Sequence, residues 1–128
     1  MSESQLLAEI LLGCSRGPVR LIRTNSGVAW GGKIVSQDHR RLILSPYHAV
    51  KLAPEGTSDL NGLVSETITP EMVGRVVAIF ASIEGKYGRR TLTDGQRAYI
   101  AMVRAMGGRA GEARSVADAQ AILRGEAI

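Results

Sequence analysis

The sequence predicts an α/β fold in which a mixed central β-sheet is flanked by helices. Three observations predict it. Apolar residues recur at helical spacing near both ends of the chain and at strand spacing between them. The elements fall in the order helix, several strands, helix, strand, helix, which suits helices packed on a sheet. The most apolar stretch, Val76-Val77-Ala78-Ile79-Phe80-Ala81-Ser82-Ile83, reads as a strand near the middle of a sheet, buried on both faces. At 128 residues the chain is one domain, residues 1-128, long enough to bury about two-thirds of its unfolded surface.

Taken in order, "SESQLLAEILLG" is a helix with Ser2 or Ser4 as cap. Leu6, Leu7, Ile10 and Leu11 form its apolar stripe and Gly13 its stop. "VRLIRTN" and "GVAWGGKIV" are strands joined by a turn at Asn25-Ser26-Gly27. "RRLILSP" is a third strand, ended by Pro46, and Tyr47 to Ser58 form a loop. A short strand lies within "DLNGLVSETITP", ahead of the long apolar one. "TDGQRAYIAMVRAMGG" is a helix opened by a Thr93/Gln96 capping box and closed by Gly107-Gly108. "RAGEAR" is a short strand, and "SVADAQAILRG" is a last helix capped by Ser115.

Bulk composition narrows the function classes. A hydrophobic fraction of 45% with 22% charged residues is that of a soluble globular protein. No apolar run reaches the ~18 to 20 residues of a membrane-spanning helix. The acidic N-terminus lacks the basic region of a signal peptide, and the single Cys14 permits no internal disulfide, so a cytoplasmic setting is expected. The net charge of +4 is carried by 16 basic residues, of which three are lysines (Lys33, Lys51, Lys86) and the remaining 13 arginines. Arginine suits bidentate contact with phosphate, which makes nucleic acid a reasonable partner, although a solvated surface accounts for the same bias. An aromatic content of 4% argues against a base-stacking single-strand binder.

Several motifs fail their context. "GVAWGGK" has phosphate-loop spacing, but Ile34 stands where a Ser or Thr should hold magnesium, and the stretch reads as strand. His39, His48 and Cys14 match no zinc-ligand spacing. No G-x-S-x-G elbow supports a Ser-His-Asp triad.

The carboxylates carry more. Alternation along a strand puts Glu84 and Lys86 on one face and Gly85 on the other. Asp59 follows a loop that delivers the chain to a strand start. An Asp and a Glu so placed can converge on a hard cation, with a neighbouring Lys to hold water or stabilise phosphoryl charge. Equally, Glu84 and Lys86 can be a plain strand-end ion pair and Asp59 a turn residue.

The ordered set Gly56-Thr57-Ser58-Asp59, Glu84-Gly85-Lys86, Arg89-Arg90 and Thr93 with Gln96 resembles the PD-(D/E)xK nuclease signature. More closely, with Glu9 in the first helix, "RTNSG" and the closing "GGRAGEARSVADAQAIL", it is similar to the stand-alone phage or prophage form of the virus-type replication-repair nuclease (VRR-NUC) family. The resemblance spans nearly the whole chain and implies a restriction-endonuclease-like core. It implies hydrolysis of DNA phosphodiesters with Mg2+ or Mn2+, on branched substrates such as the four-way (Holliday) junction, by a homodimer. It further implies Asp59, Glu84, the Gly85 carbonyl and Glu9 as metal ligands, Lys86 as the catalytic lysine and Gln96 as a polar residue bordering the site. Arg20, Arg23, Asn25, Arg89 and Arg90 are the expected DNA contacts. Glycine at position 85 departs from the family, which places an apolar residue there. A restriction-like duplex or flap nuclease, and a binding module with a decayed site, are the competing readings.

Overall fold

The computed structural model describes residues 2–126. The element order is α1 (Glu3–Cys14), β1 (Val19–Arg23), β2 (Val28–Gln37), β3 (Leu42–Lys51), β4 (Leu60–Val64), β5 (Ala81–Gly85), α2 (Asp94–Ala105), β6 (Arg109–Ala113) and α3 (Val116–Leu123). The coarse α/β class is as expected. The sheet is different: among the described residues the strands pair as β1-β4, β2-β3 and β5-β6, three two-stranded sheets with no single central sheet. No helix among the described residues is long and apolar enough to cross a membrane.

The described residues divide into two compact units, 2–12 with 21–61 and 13–20 with 62–126. The division falls within both β1 and β4.

The first unit is dominated by the antiparallel pair β2-β3, which runs from Val28 opposite Lys51 to Gln37 opposite Leu42 with a shift of register on either side of Ile34. β1 and β2 are not a hairpin, because β1 pairs with β4 instead. Pro46 does not end β3, which runs on to Lys51. Only one edge of β3 is paired, so a residue without an N–H can sit in the strand at no cost to the ladder. Gly32 is required opposite it: φ is +153°, and a Cβ there would meet the Pro46 carbonyl oxygen at 2.2 Å. That glycine pair therefore serves strand packing, as the failed phosphate-loop match implied. α1 opens as read, with Ser2 Oγ accepting from the Gln5 amide at 3.2 Å and Gln5 Oε1 accepting from the Ser2 amide at 2.7 Å. Gly13 lies inside this helix and does not stop it.

The second unit holds the core of Leu63, Ile100, Val103 and Ala110, with Phe80, Leu92, Met102 and Met106 packed against it. α2 is amphipathic: Ile100 and Val103 are buried, and Gln96 continues the same stripe one turn earlier. The Thr93/Gln96 capping box is present, as is the Ser115 cap on α3. β5 and β6 run parallel, with Ala81 opposite Arg109 and Gly85 opposite Ala113. α3 comes so close to β6 that a Cβ on Gly111 would meet Ile122 Cδ1 at 2.9 Å.

The apolar stretch is corrected in both respects. Only Ala81–Gly85 is strand, and Val76 is fully exposed. Its partner β6 is five residues long: the Phe80 carbonyl still accepts from the Arg109 amide at 2.9 Å, but residues ahead of Phe80 have no ladder to join. Along β5 the exposure alternates, with Ser82 and Glu84 half-buried and Ala81, Ile83 and Gly85 exposed. This is a strand with one buried face.

Candidate active site

The second unit gathers three of the expected site residues at the end of β5. Glu84 and Lys86 lie two apart, so the pleat turns both to the same side, and Lys86 Nζ stands 3.2 Å from Glu84 Oε1. α2 supplies the third: Gln96 Nε2 donates to the same Oε1 across 2.7 Å. The capping box explains why that amide points correctly. Gln96 Oε1 accepts from the Thr93 amide at 2.9 Å, which turns the Nε2 end toward β5. One side chain thus closes the helix start and grips the strand-end carboxylate.

Among the described residues, Lys86 and Gln96 both meet Glu84 at Oε1, which leaves Oε2 to accept from a ligand. The lysine side chain is 12% exposed and the glutamate 35%, so the pair is largely shielded and worth more than an open surface ion pair. Gly85 is exposed, and a Cβ there would meet nothing within 4 Å. The space that an apolar side chain would fill at this position is open.

Asp59 and Glu9 belong to the first unit and are both exposed. Asp59 is held by its backbone: its carbonyl accepts from the Thr24 amide at 2.8 Å, and Asn61 Nδ2 donates to the Ser58 carbonyl at 2.8 Å. Among the described residues, no three His, Cys, Asp or Glu side chains are grouped closely enough to hold a metal ion. Of the expected DNA contacts, Arg20, Arg23, Asn25, Arg89 and Arg90 are all exposed. Arg20 and Arg23 are three apart on β1, which puts them on opposite faces of that strand.

Two residues of the site escaped the sequence reading. Glu112 is the register partner of Glu84, and neighbours across a parallel pair share a face. Arg114 follows at the end of β6, mirroring Lys86. Glu112 Oε1 lies 2.5 Å from Arg114 Nη2 but off the line of its N–H bonds, so the two attract as charges without a hydrogen bond. The signal was present in the repeated spacing of "EGK" and "EAR", which the register superimposes. Glu84, Lys86, Tyr87, Arg90 and Arg114 border a cleft of about 770 Å³ beside the carboxyl ends of β5 and β6. Comparisons of the chain with protein-family models, with curated proteins and with solved structures gave no match.

Proposed function

We propose that the chain is a metal-dependent, structure-specific DNA endonuclease with a PD-(D/E)xK core of the VRR-NUC type, acting on branched DNA and foremost on four-way junctions. The observation that carries this reading is the shielded Glu84–Lys86 pair with Gln96 fixed on the same carboxylate oxygen. A plain strand-end ion pair needs no third group from a separate helix.

By the resemblance, Asp59, Glu84, the Gly85 carbonyl and Glu9 would be the ligands of Mg2+ or Mn2+; of these, Glu84 and the Gly85 carbonyl lie together at the end of β5, and oxygen donors suit a hard cation. When bound, such a cation lowers the pKa of its water and withdraws charge from a phosphate. The chain's own residues do the rest. Lys86 Nζ orients the attacking water or neutralises charge on the non-bridging phosphate oxygens. Gln96 keeps the Glu84 carboxylate turned so that Oε2 stays available. A bond forms from water oxygen to phosphorus, the bond from phosphorus to one sugar oxygen breaks, and the proton lost by the water is matched by one gained by that leaving oxygen, giving a phosphomonoester and a sugar hydroxyl. Arg89 and Arg90, exposed just beyond the catalytic strand, take flanking phosphates. In this reading the working form is a homodimer, because a four-way junction has two-fold symmetry and needs two matched cuts.

The test is a panel of labelled duplex, flap and four-way junction with Mg2+, repeated with EDTA. Preferred, EDTA-sensitive cutting of the junction is expected. Glu84→Ala, Asp59→Ala and Lys86→Ala should each abolish cutting while DNA affinity stays within about three-fold, since affinity resides in phosphate contacts. Full activity in Lys86→Ala would sink the mechanism. Equal cutting of duplex or flap would make the chain a general nuclease instead.

A further inference from the structure

Arg114 is exposed, yet its guanidinium folds back onto the backbone of a neighbouring turn. Its Nη1 donates to the Gly88 carbonyl at 2.9 Å and its Nη2 to the Arg90 carbonyl at 2.5 Å, across 26 and 24 residues of sequence. Glu112 Oε1 lies 2.5 Å from the same Nη2 and balances its charge. The turn thus gripped, Tyr87 to Arg90, joins Lys86 to α2. Its own recorded backbone bond is long, from the Arg90 amide to the Tyr87 carbonyl at 3.3 Å, and Gly88 sits at φ +61°. Among the described residues, the guanidinium is the main tie on this turn. Arg90 borders the same cleft as Glu84 and Lys86.

We propose that Arg114 is a positioning residue. It is a strut from β6 that fixes the Tyr87–Arg90 turn so that Arg90 meets the DNA phosphate next to the one attacked beside Lys86, and Glu112 holds the strut in place. The phosphate half of this statement rests on the nuclease reading; the strut itself does not. The chemistry requires arginine, since a planar fork of donors can serve two carbonyls at once while its charge stays beside the Glu112 carboxylate. A lysine there keeps the charge but offers one compact head, which leaves at least one carbonyl unheld. Ordering the turn before DNA arrives removes a cost that binding would otherwise carry.

A double-mutant cycle tests it, using Arg114→Lys, Arg90→Ala and the two combined. Cleavage of the four-way junction and the rate of tryptic cutting after Arg89 and Arg90 are both followed. Arg114→Lys and Arg90→Ala should each raise KM about ten-fold, with kcat within about three-fold. The combined variant should be no worse than Arg90→Ala, because both changes remove one contact. Trypsin should cut the turn of Arg114→Lys several-fold faster, with no change at the exposed Arg40-Arg41 bond, which separates a loosened turn from a loosened fold. Glu112→Gln should shift both readouts the same way by about three-fold.

Additive KM losses would mean that Arg114 itself contacts DNA, and would overturn the strut. So would a tryptic rate at the turn unchanged from the parent protein. A parent protein that cuts no DNA would end the nuclease reading, while the trypsin comparison would still decide whether Arg114 holds the turn.

Discussion

Gln96 Nε2 lies 2.7 Å from Glu84 Oε1, while the Oε1 of the same glutamine caps α2 through the Thr93 amide. The start of the helix and the carboxylate at the end of β5 are therefore fixed by one side chain. Its two duties separate by substitution. Thr93→Ala removes half the cap and should cost about 1 kcal/mol of stability with cleavage nearly intact. Gln96→Glu keeps a capping-box residue but sets a second negative charge against Glu84. Cleavage should fall at least ~10-fold while thermal stability stays within a few degrees. Parallel losses of both properties in both variants would reduce Gln96 to a cap.

Gly85→Val tests the open space beside the site. A Cβ meets nothing there and the backbone is ordinary extended strand, so a β-branched residue should be tolerated or stabilise by about 0.5–1 kcal/mol. Urea denaturation measures it. A loss of several kcal/mol would mean that the space is filled in solution.

Arg89 and Arg90 should carry phosphate contacts of their own. Neutralising both should flatten the slope of log affinity against log salt by about two units, measured by fluorescence anisotropy on junction DNA. Arg20 and Arg23 face opposite ways from β1, so their double variant should remove no more than about one. An unchanged slope for the Arg89/Arg90 pair would assign them to solvent.

The proposed homodimer would pair through the first unit. Trp30 and Tyr47 meet edge to face at 5.8 Å, remain 63% and 69% exposed, and share a shallow depression with Leu42 and Leu44. So large an exposed apolar group suits an interface, with Trp30 as its anchor. Light scattering should give about twice the 13.7 kDa chain mass, and Trp30→Glu should halve it. A monomer that stays single on junction DNA would favour a single-nick enzyme.

Short-range chemistry was largely legible in the chain, although the stop at Gly13 was misread and the first cap was left open between Ser2 and Ser4. The capping boxes at Ser2 and Thr93 and the Ser115 cap involve residues three apart, so spacing alone specifies them. The i, i+2 pair of Glu84 and Lys86 follows from the pleat in the same way. Pairing partners were not legible, because a strand's neighbour is chosen by long-range packing. The β1-β2 hairpin, the end of β3 at Pro46 and the length of β5 were all misread for that reason. Apolar residues from Val76 to Ile79 satisfy a strand pattern, yet only Ala81–Gly85 finds a ladder, since β6 is no longer than that. Tertiary structure alone also set Glu112 beside Glu84 and turned Arg114 back onto Gly88 and Arg90. Local spacing fixes which way a side chain leaves the backbone; the register of a strand more than twenty residues away decides what it meets there.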